Sequence, residues 1–371
     1  MVRKSVASWT HAGFGDVVKA VQEATQNAQE TAIQNDDVHQ RDDVHQRYHV
    51  KYEQETSRNG DTVVRKCIER ATGERMDIRS TYKLGQQSKG KSIDALRREA
   101  DLLASFDHPN ILEVREVLED DKHIHIVTER CKGGELYGLL VKKARKGKFF
   151  SELEAAAVVY QLLLAVSYLH RKAVVHRDIK LEGIALKSRN KGYMTLRICN
   201  FDVATGYNPE TSPPMNERVG TTFSTAPEVL RGQKYTNKCD IWAVGVIGYA
   251  LMCGKAPFQA RYHLDTLELV KSDRVVEFPV PVWAGVSERA KGFLRLCLRK
   301  DPTARPSPEE LIRHAWIRKL EVEFLNVINE SAPFKRRILG KGFLSRRSRF
   351  NRTSSRITMT GSIQVIEHEI V

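Results

Sequence analysis

The stretch His176-Arg177-Asp178-Ile179-Lys180-Leu181-Glu182-Gly183 follows an apolar helical run and precedes the apolar Ile184-Ala185-Leu186. A charged triplet placed this way reads as the start of a catalytic loop. In such a loop the Asp accepts the proton of an attacking hydroxyl and the Lys steadies a transferred phosphate. An Asn closes the loop, and its oxygen holds Mg²⁺. Asp178 and Lys180 supply the first two parts. The closing position is Gly183, which has no side-chain oxygen, so the loop can be built while one metal ligand is missing.

The elements that must position this loop are legible on either side. From Tyr48 the pattern is β: Val63, Val64, Cys67 and Ile68, then Met76 and Ile78, predict paired strands around the turn Ala71-Thr72-Gly73-Glu74. Residues 91–105 read as a helix with Ile93, Leu96, Ala100 and Leu103 on one face. Ile111–Val117 and His123–Thr128 predict further strands hinged by Asp120-Asp121, so the simplest small lobe is a five-stranded sheet with one helix. Beyond Gly133-Gly134-Glu135-Leu136 the chain turns helical. Ser151 caps a run to His170, and Asp240 to Met252 is nearly all apolar, as a core helix of a larger lobe would be. Helices are also expected at about 263–271, 287–298 and 308–313, and the globular part should end near Trp316-Ile317.

The totals bound the class. The chain has 371 residues, 41% hydrophobic and 29% charged, which is ordinary for a soluble globular protein. No run approaches the roughly 18 apolar residues of a membrane span, and Met1-Val2-Arg3-Lys4 lacks the apolar core of a secretory signal. Six scattered cysteines with no Cys-x-x-Cys pair read as reduced thiols of a cytoplasmic or nuclear protein. The net charge of +14 can attract acidic partners or anionic membrane, or simply be a solvated basic surface. No specific nucleic-acid signature accompanies it.

Residues 1–47 read as an N-terminal tail or linker. They contain a thin helix candidate at about 16–33 and a tandem repeat, Asp36-Asp37-Val38-His39-Gln40-Arg41 and Asp42-Asp43-Val44-His45-Gln46-Arg47. Two six-residue copies cannot bury a core of their own. The repeat is read as a duplicated linker, its histidines being a weak alternative for metal.

Several motifs stand in a fixed order: Glu99 in a helix, Gly133-Gly134-Glu135-Leu136, His176-Arg177-Asp178, Gly220-Thr221, Ala226-Pro227-Glu228, Asp240-Ile241-Trp242, and Asp301-Pro302 with Arg305. With this set, residues 48–317 resemble a eukaryotic protein kinase domain, most like the calcium/calmodulin-dependent Ser/Thr group. The resemblance implies an α+β, two-lobed fold, with a small lobe over 48–130 and a larger, mainly helical lobe over 131–317. It also implies ATP and Mg²⁺ as cofactors.

Against that family the chemistry is degraded. The three glycine positions of the phosphate loop fall on Ser57, Asn59 and Thr62, with Gly60 out of register. The strand motif Val-Ala-Ile-Lys appears as Met76-Asp77-Ile78-Arg79. Arg79 keeps the charge and can pair with Glu99, but its fork changes the phosphate geometry. Asp77 falls on the roof over adenine, where a bound base would desolvate its carboxylate; alternatively it swings out to a basic neighbour. The metal-binding Asp-Phe-Gly is Asn200-Phe201-Asp202, so Asn200 and Gly183 weaken both metal positions. Asp202 is a displaced substitute at best. Thr128 takes the gatekeeper position.

By the same resemblance Glu228 should pair with Arg305, and Asp240 should hold the catalytic-loop backbone. Leu103, His176 and Phe201 should form three of four positions of a spine between the lobes. The activation segment, about 203–225, carries seven Ser and Thr residues. Arg177 could clamp a phosphate there, and Thr221 is expected to contact the catalytic loop.

Residues 318–371 carry 11 basic against 5 acidic residues. Bulky anchors interleave with basic residues over 334–350, as in calmodulin targets, although Gly340 and Gly342 weaken a helix. Arg352-Thr353-Ser354-Ser355 resembles a site for a basic-directed kinase, and Ile370-Val371 could enter a carboxylate-binding groove. The expectation is a pseudokinase that binds ATP and Mg²⁺ weakly or not at all and acts as scaffold or allosteric partner of an active kinase or signalling protein. The alternatives are a divergent active Ser/Thr kinase and an adaptor docked through its tail to calmodulin or membrane.

Overall fold

The computed structural model describes residues 44–318, apart from 57–60, 89–91 and 191–192. The helix candidate at 16–33, the first repeat copy, Ser57, Asn59 and Gly60 lie outside the described residues. So do the tail segments at 334–350, 352–355 and 370–371.

A short helix α1 (Val44–Arg47) leads into β1 (Tyr48–Thr56), β2 (Thr62–Glu69) and β3 (Arg75–Tyr82). Cys67 pairs with Met76 and Arg65 with Ile78, so the turn at 71–74 closes an antiparallel hairpin as its sequence requires. A six-residue helix α2 (Lys83–Ser88) precedes α3 (Ile93–Ala104). Ser92 caps α3 by accepting the N–H of Ala95. Strands β4 (Val114–Glu119) and β5 (His123–Glu129) complete a five-stranded sheet of order β1-β2-β3-β5-β4.

Alternation decides what each face of β5 buries. Ile124 and Ile126 pack against Leu96 and Ala100 of α3. Val127 lies on the other face with Ile78, Met76, Cys67, Leu118, Tyr48 and Val44. The sheet with one long helix is the expected small lobe, to which the short α2 is added. Two expectations need correction here. The second repeat copy is not all linker, because its Val44 closes the outer core of the sheet. The strand expected from Ile111 begins instead at Val114. Ile111 is drawn into the larger lobe, where it bridges Ile198, and Leu112 N–H donates to the Ile198 carbonyl.

The larger lobe continues with α4 (Leu136–Ala144), α5 (Glu152–Arg171), β6 (Val174–Val175), a 3₁₀ turn at Leu181–Gly183, and the hairpin β7 (Ile184–Asn190) and β8 (Tyr193–Ile198). Then come β9 (Thr205–Gly206), α6 (Pro227–Leu230), α7 (Lys238–Cys253), α8 (His263–Lys271), α9 (Glu288–Cys297) and α10 (Pro308–Ile312). Ser151 and Glu154 form a reciprocal capping box at the start of α5. Gly254 ends α7 in the left-handed conformation (φ 74°), where a β-carbon would also strike Phe149.

α5 corrects the reading that no run suits a membrane. By length and composition it is apolar enough to cross one. Here its apolar residues, Val158, Val159, Leu162, Leu163 and Val166 among them, form the protein's own core against α7. Leu103 of α3 belongs to this core too, and Val114 of β4 packs against both it and the α3–β5 cluster.

Candidate active site

The catalytic loop is built from its support outwards. Asp240, in the first turn of α7, is 1% exposed. Its carboxylate accepts the N–H groups of His176 (3.0 Å) and Arg177 (2.9 Å) and a hydrogen bond from His170 Nε2 (2.9 Å). Burial alone would raise this carboxyl; the bond from His170 and the neighbouring imidazole and amide groups outweigh it and hold the group below its usual range. Arg177, held by its bond to Asp240, takes a left-handed backbone (φ 67°) immediately before Asp178. His176 is buried, and its ring lies 4.6 Å from that of Phe201, which in turn lies 5.1 Å from Phe106.

Asp178 and Lys180 meet as the loop pattern suggests. Lys180 Nζ donates to Asp178 Oδ2 at 2.5 Å and to Thr221 Oγ1 at 2.6 Å. Asp178 Oδ1 is buried and has no hydrogen-bond partner among the described residues. An unbonded carboxylate oxygen beside a lysine is the group that takes a proton from a hydroxyl once the hydroxyl reaches it.

The metal positions are adjacent but poor in donors. Gly183 sits at the end of the 3₁₀ turn, and its carbonyl accepts the N–H of Cys199. A β-carbon on Gly183 would lie 3.8 Å from Cβ of Asn200. The turn therefore sets the two positions side by side. One offers no side-chain oxygen and the other only a neutral amide. Mg²⁺ in phosphate sites is held by one or two carboxylates, so this donor set does not fit it. The nearby Asp202 is turned to Arg79, its carboxylate lying 3.7 Å from Arg79 Nη1.

Arg79 is shared. Its Nη2 donates to Glu99 Oε1 at 2.6 Å, joining β3 to α3. Burial raises the Glu99 carboxyl above its usual range. Arg79 opposes that rise, and the second carboxylate, Asp202, adds to it. Two acids competing for one guanidinium is the electrostatic signature of this cleft.

Asp77 lies opposite Lys66 and Thr128 in the sheet. Thr128 is buried, and its hydroxyl donates to the Asp77 carbonyl at 3.4 Å. The Asp77 carboxylate is not left poorly paired. Arg130, two residues beyond Thr128, places Nε 3.9 Å from it. Burial and the Asp77 charge together push the Cys67 thiol up to about 12.

Glu228 and Arg305 form a bidentate pair at 2.6 and 2.7 Å, both nearly inaccessible. The remaining Arg305 donors go to the carbonyls of Arg299, Lys238 and Lys300. Arg177 does not stand open for a phosphate. Its guanidinium donates to Glu217 Oε2 (2.5 Å), the Val203 carbonyl (2.6 Å) and the Tyr235 hydroxyl (3.2 Å). Sequence reading attended to the hydroxyl residues of the activation segment and missed Glu217. It also missed Arg130. Glu217 alone had a signal, as the one acid between Ser212 and the Gly220-Thr221 motif.

Comparison with known proteins agrees with this architecture. The protein kinase domain model matches residues 58–317. Serine/threonine-protein kinase 33 of Bos taurus is 34% identical over 256 residues, covering 67% of this chain and 52% of that protein. Calcium-dependent protein kinase 3 of Plasmodium berghei is 31% identical over 258 residues, 70% of this chain and 45% of that protein. A probable myosin light chain kinase of Dictyostelium discoideum is 34% identical over 264 residues, 71% of this chain and 72% of that protein. The chain thus spans about half the length of the first two relatives.

Proposed function

Because the chain belongs to the protein kinase domain family, with Ser/Thr kinases as relatives, we propose that it is a pseudokinase. It keeps the two-lobed architecture and acts as a scaffold or allosteric partner for an active kinase or another signalling protein. One observation carries this reading: Gly183 and Asn200 stand together where the metal ligands of a working site belong, and neither is anionic. Without a metal to neutralise developing charge on the phosphoryl group, transfer loses orders of magnitude in rate. The Asp77–Arg130 pair across the adenine position adds a cost to nucleotide binding, since a base must displace or desolvate it.

The test is incorporation of the γ-phosphate of ATP into the protein or a generic basic Ser/Thr peptide. Incorporation indistinguishable from that of Asp178→Ala supports the pseudokinase. A second reading, a divergent Ser/Thr kinase, has its own support in the unbonded Asp178 Oδ1, the Lys180 bridge to Thr221 and the formed Arg79–Glu99 pair. Incorporation abolished by Asp178→Ala would establish it. Calmodulin or anionic membrane remains a proposed partner of residues 334–350, on the interleaved apolar and basic residues alone.

A further inference from the structure

Strand β5 begins His123-Ile124-His125, and period-two alternation sends both imidazoles to one face. That is the face opposite Ile124 and Ile126, which are committed to the core under α3. The preceding turn brings Asp120 back to the same place. Asp120 Oδ2 lies 2.9 Å from His125 Nε2, and Oδ1 lies 3.5 Å from His123 Nδ1. One donor atom from each of the three residues lies within 4.8 Å of the others. We propose that Asp120, His123 and His125 form a site for a divalent transition-metal cation of the zinc class, outside the catalytic cleft.

The donor chemistry selects the class. Two neutral imidazoles and one carboxylate suit Zn²⁺, Co²⁺ or Ni²⁺; Mg²⁺ and Ca²⁺ prefer all-oxygen shells. A tetrahedral ion at about 2.0–2.1 Å from each donor separates its ligands by roughly 3.3 Å. The two imidazoles approach different oxygens of the carboxylate, at 2.9 and 3.5 Å, and with one donor atom per residue the set spans up to 4.8 Å, so an ion draws the partly exposed His123 ring inward. A fourth position is left for water, because His123 and Asp120 are partly exposed.

The surroundings hold the donors in place. His125 is 7% exposed, and its Nδ1 lies 2.7 Å from the buried Ser80 hydroxyl, which frees Nε2 to face Asp120. A second partner on the far ring nitrogen is the usual support of a metal-binding histidine. Asp120 Oδ1 accepts the N–H groups of Lys122 (2.7 Å) and His123 (2.6 Å), so the turn fixes the carboxylate before any ion arrives. The nearby Lys83 ammonium is engaged by Glu119 and the Asp120 carbonyl. Capping the β4–β5 turn through Oδ1 and satisfying the buried His125 ring through Oδ2 account for the Asp120 carboxylate; neither calls for the partly exposed His123 imidazole beside it.

The experiment uses the full chain, stripped with a chelator and titrated with Co²⁺ and then Zn²⁺ above the ordinary histidine titration range. We expect one equivalent of Co²⁺ to give a visible d–d spectrum without thiolate charge transfer, and Zn²⁺ to displace it. His123→Ala removes an exposed ring and should weaken binding tenfold or more while leaving far-UV dichroism unchanged. Asp120→Asn keeps the turn-capping oxygen and should weaken binding likewise. His39→Ala, in the first copy of the tandem repeat, should bind as the parent does. Equal binding by His123→Ala and the parent overturns the proposal, as does loss of binding in His39→Ala alone.

Discussion

Gly183 and Asn200 face one another at ordinary van der Waals distance: a β-carbon on Gly183 would stand 3.8 Å from Cβ of Asn200 and 3.8 Å from Cγ of Lys180. A β-carbon therefore fits at Gly183 in ordinary contact with its neighbours. Gly183→Asn with Asn200→Asp should fold, with a stability change of less than about 1 kcal/mol by urea unfolding, since the added β-carbon meets no clash and no pair is broken. Loss of cooperative unfolding would show that the loop is no longer shaped for a ligand.

The Glu228–Arg305 pair should report on folding alone. Glu228→Ala leaves a guanidinium uncompensated in a site that is nearly inaccessible. A loss of about 3–5 kcal/mol is expected, read as a lower denaturation midpoint. A near-neutral Glu228→Ala would undercut the account of the larger lobe.

Asp240 gives the stability a pH dependence whose sign is fixed. Its folded carboxyl titrates below its unfolded value, so the folded state binds fewer protons than the unfolded one. Its stabilisation is present above the ordinary Asp range and is lost as pH falls through and below that range. Asp240→Asn should cost about 1.5–3 kcal/mol at neutral pH, the scale of hydrogen bonds to a charged group. The gap between the two proteins should narrow on acidification. A gap that stays constant down to acid pH would contradict the ionised, hydrogen-bonded carboxylate.

Much of this arrangement was legible in the sequence because its causes are local. Alternation placed β2 and β3, the Ser151 cap placed α5, and the charged triplet placed the catalytic loop. What was not legible depends on pairs distant in sequence. Arg130 meets Asp77 only because β3 and β5 are neighbours in the sheet. Glu217 meets Arg177 only because the activation segment folds back over the loop. Ile111 leaves the strand its side chain suggested because Ile198 offers it a partner in the larger lobe.

The Arg177–Glu217 pair predicts an activation segment anchored by its own acid. Glu217 is largely exposed, so the pair is worth at most about 1 kcal/mol. Glu217→Ala should leave the melting temperature almost unchanged and raise amide exchange over 203–220. Unchanged exchange there would mean that Val203 and Tyr235 suffice to hold Arg177.

Nucleotide binding with and without Mg²⁺ tests the central claim most directly, read as thermal stabilisation of the unaltered chain. A ligand at 100 times its Kd stabilises by about 2.7 kcal/mol, which for a domain of this size is a rise of several degrees. The side-by-side Gly183 and Asn200 and the Asp77–Arg130 pair predict a rise of less than about 1 °C with millimolar ATP, and the same value whether Mg²⁺ is present or chelated. In Gly183→Asn with Asn200→Asp, Mg²⁺ should begin to matter. A rise of several degrees in the unaltered protein that disappears on chelating Mg²⁺ would contradict the account and favour the divergent kinase.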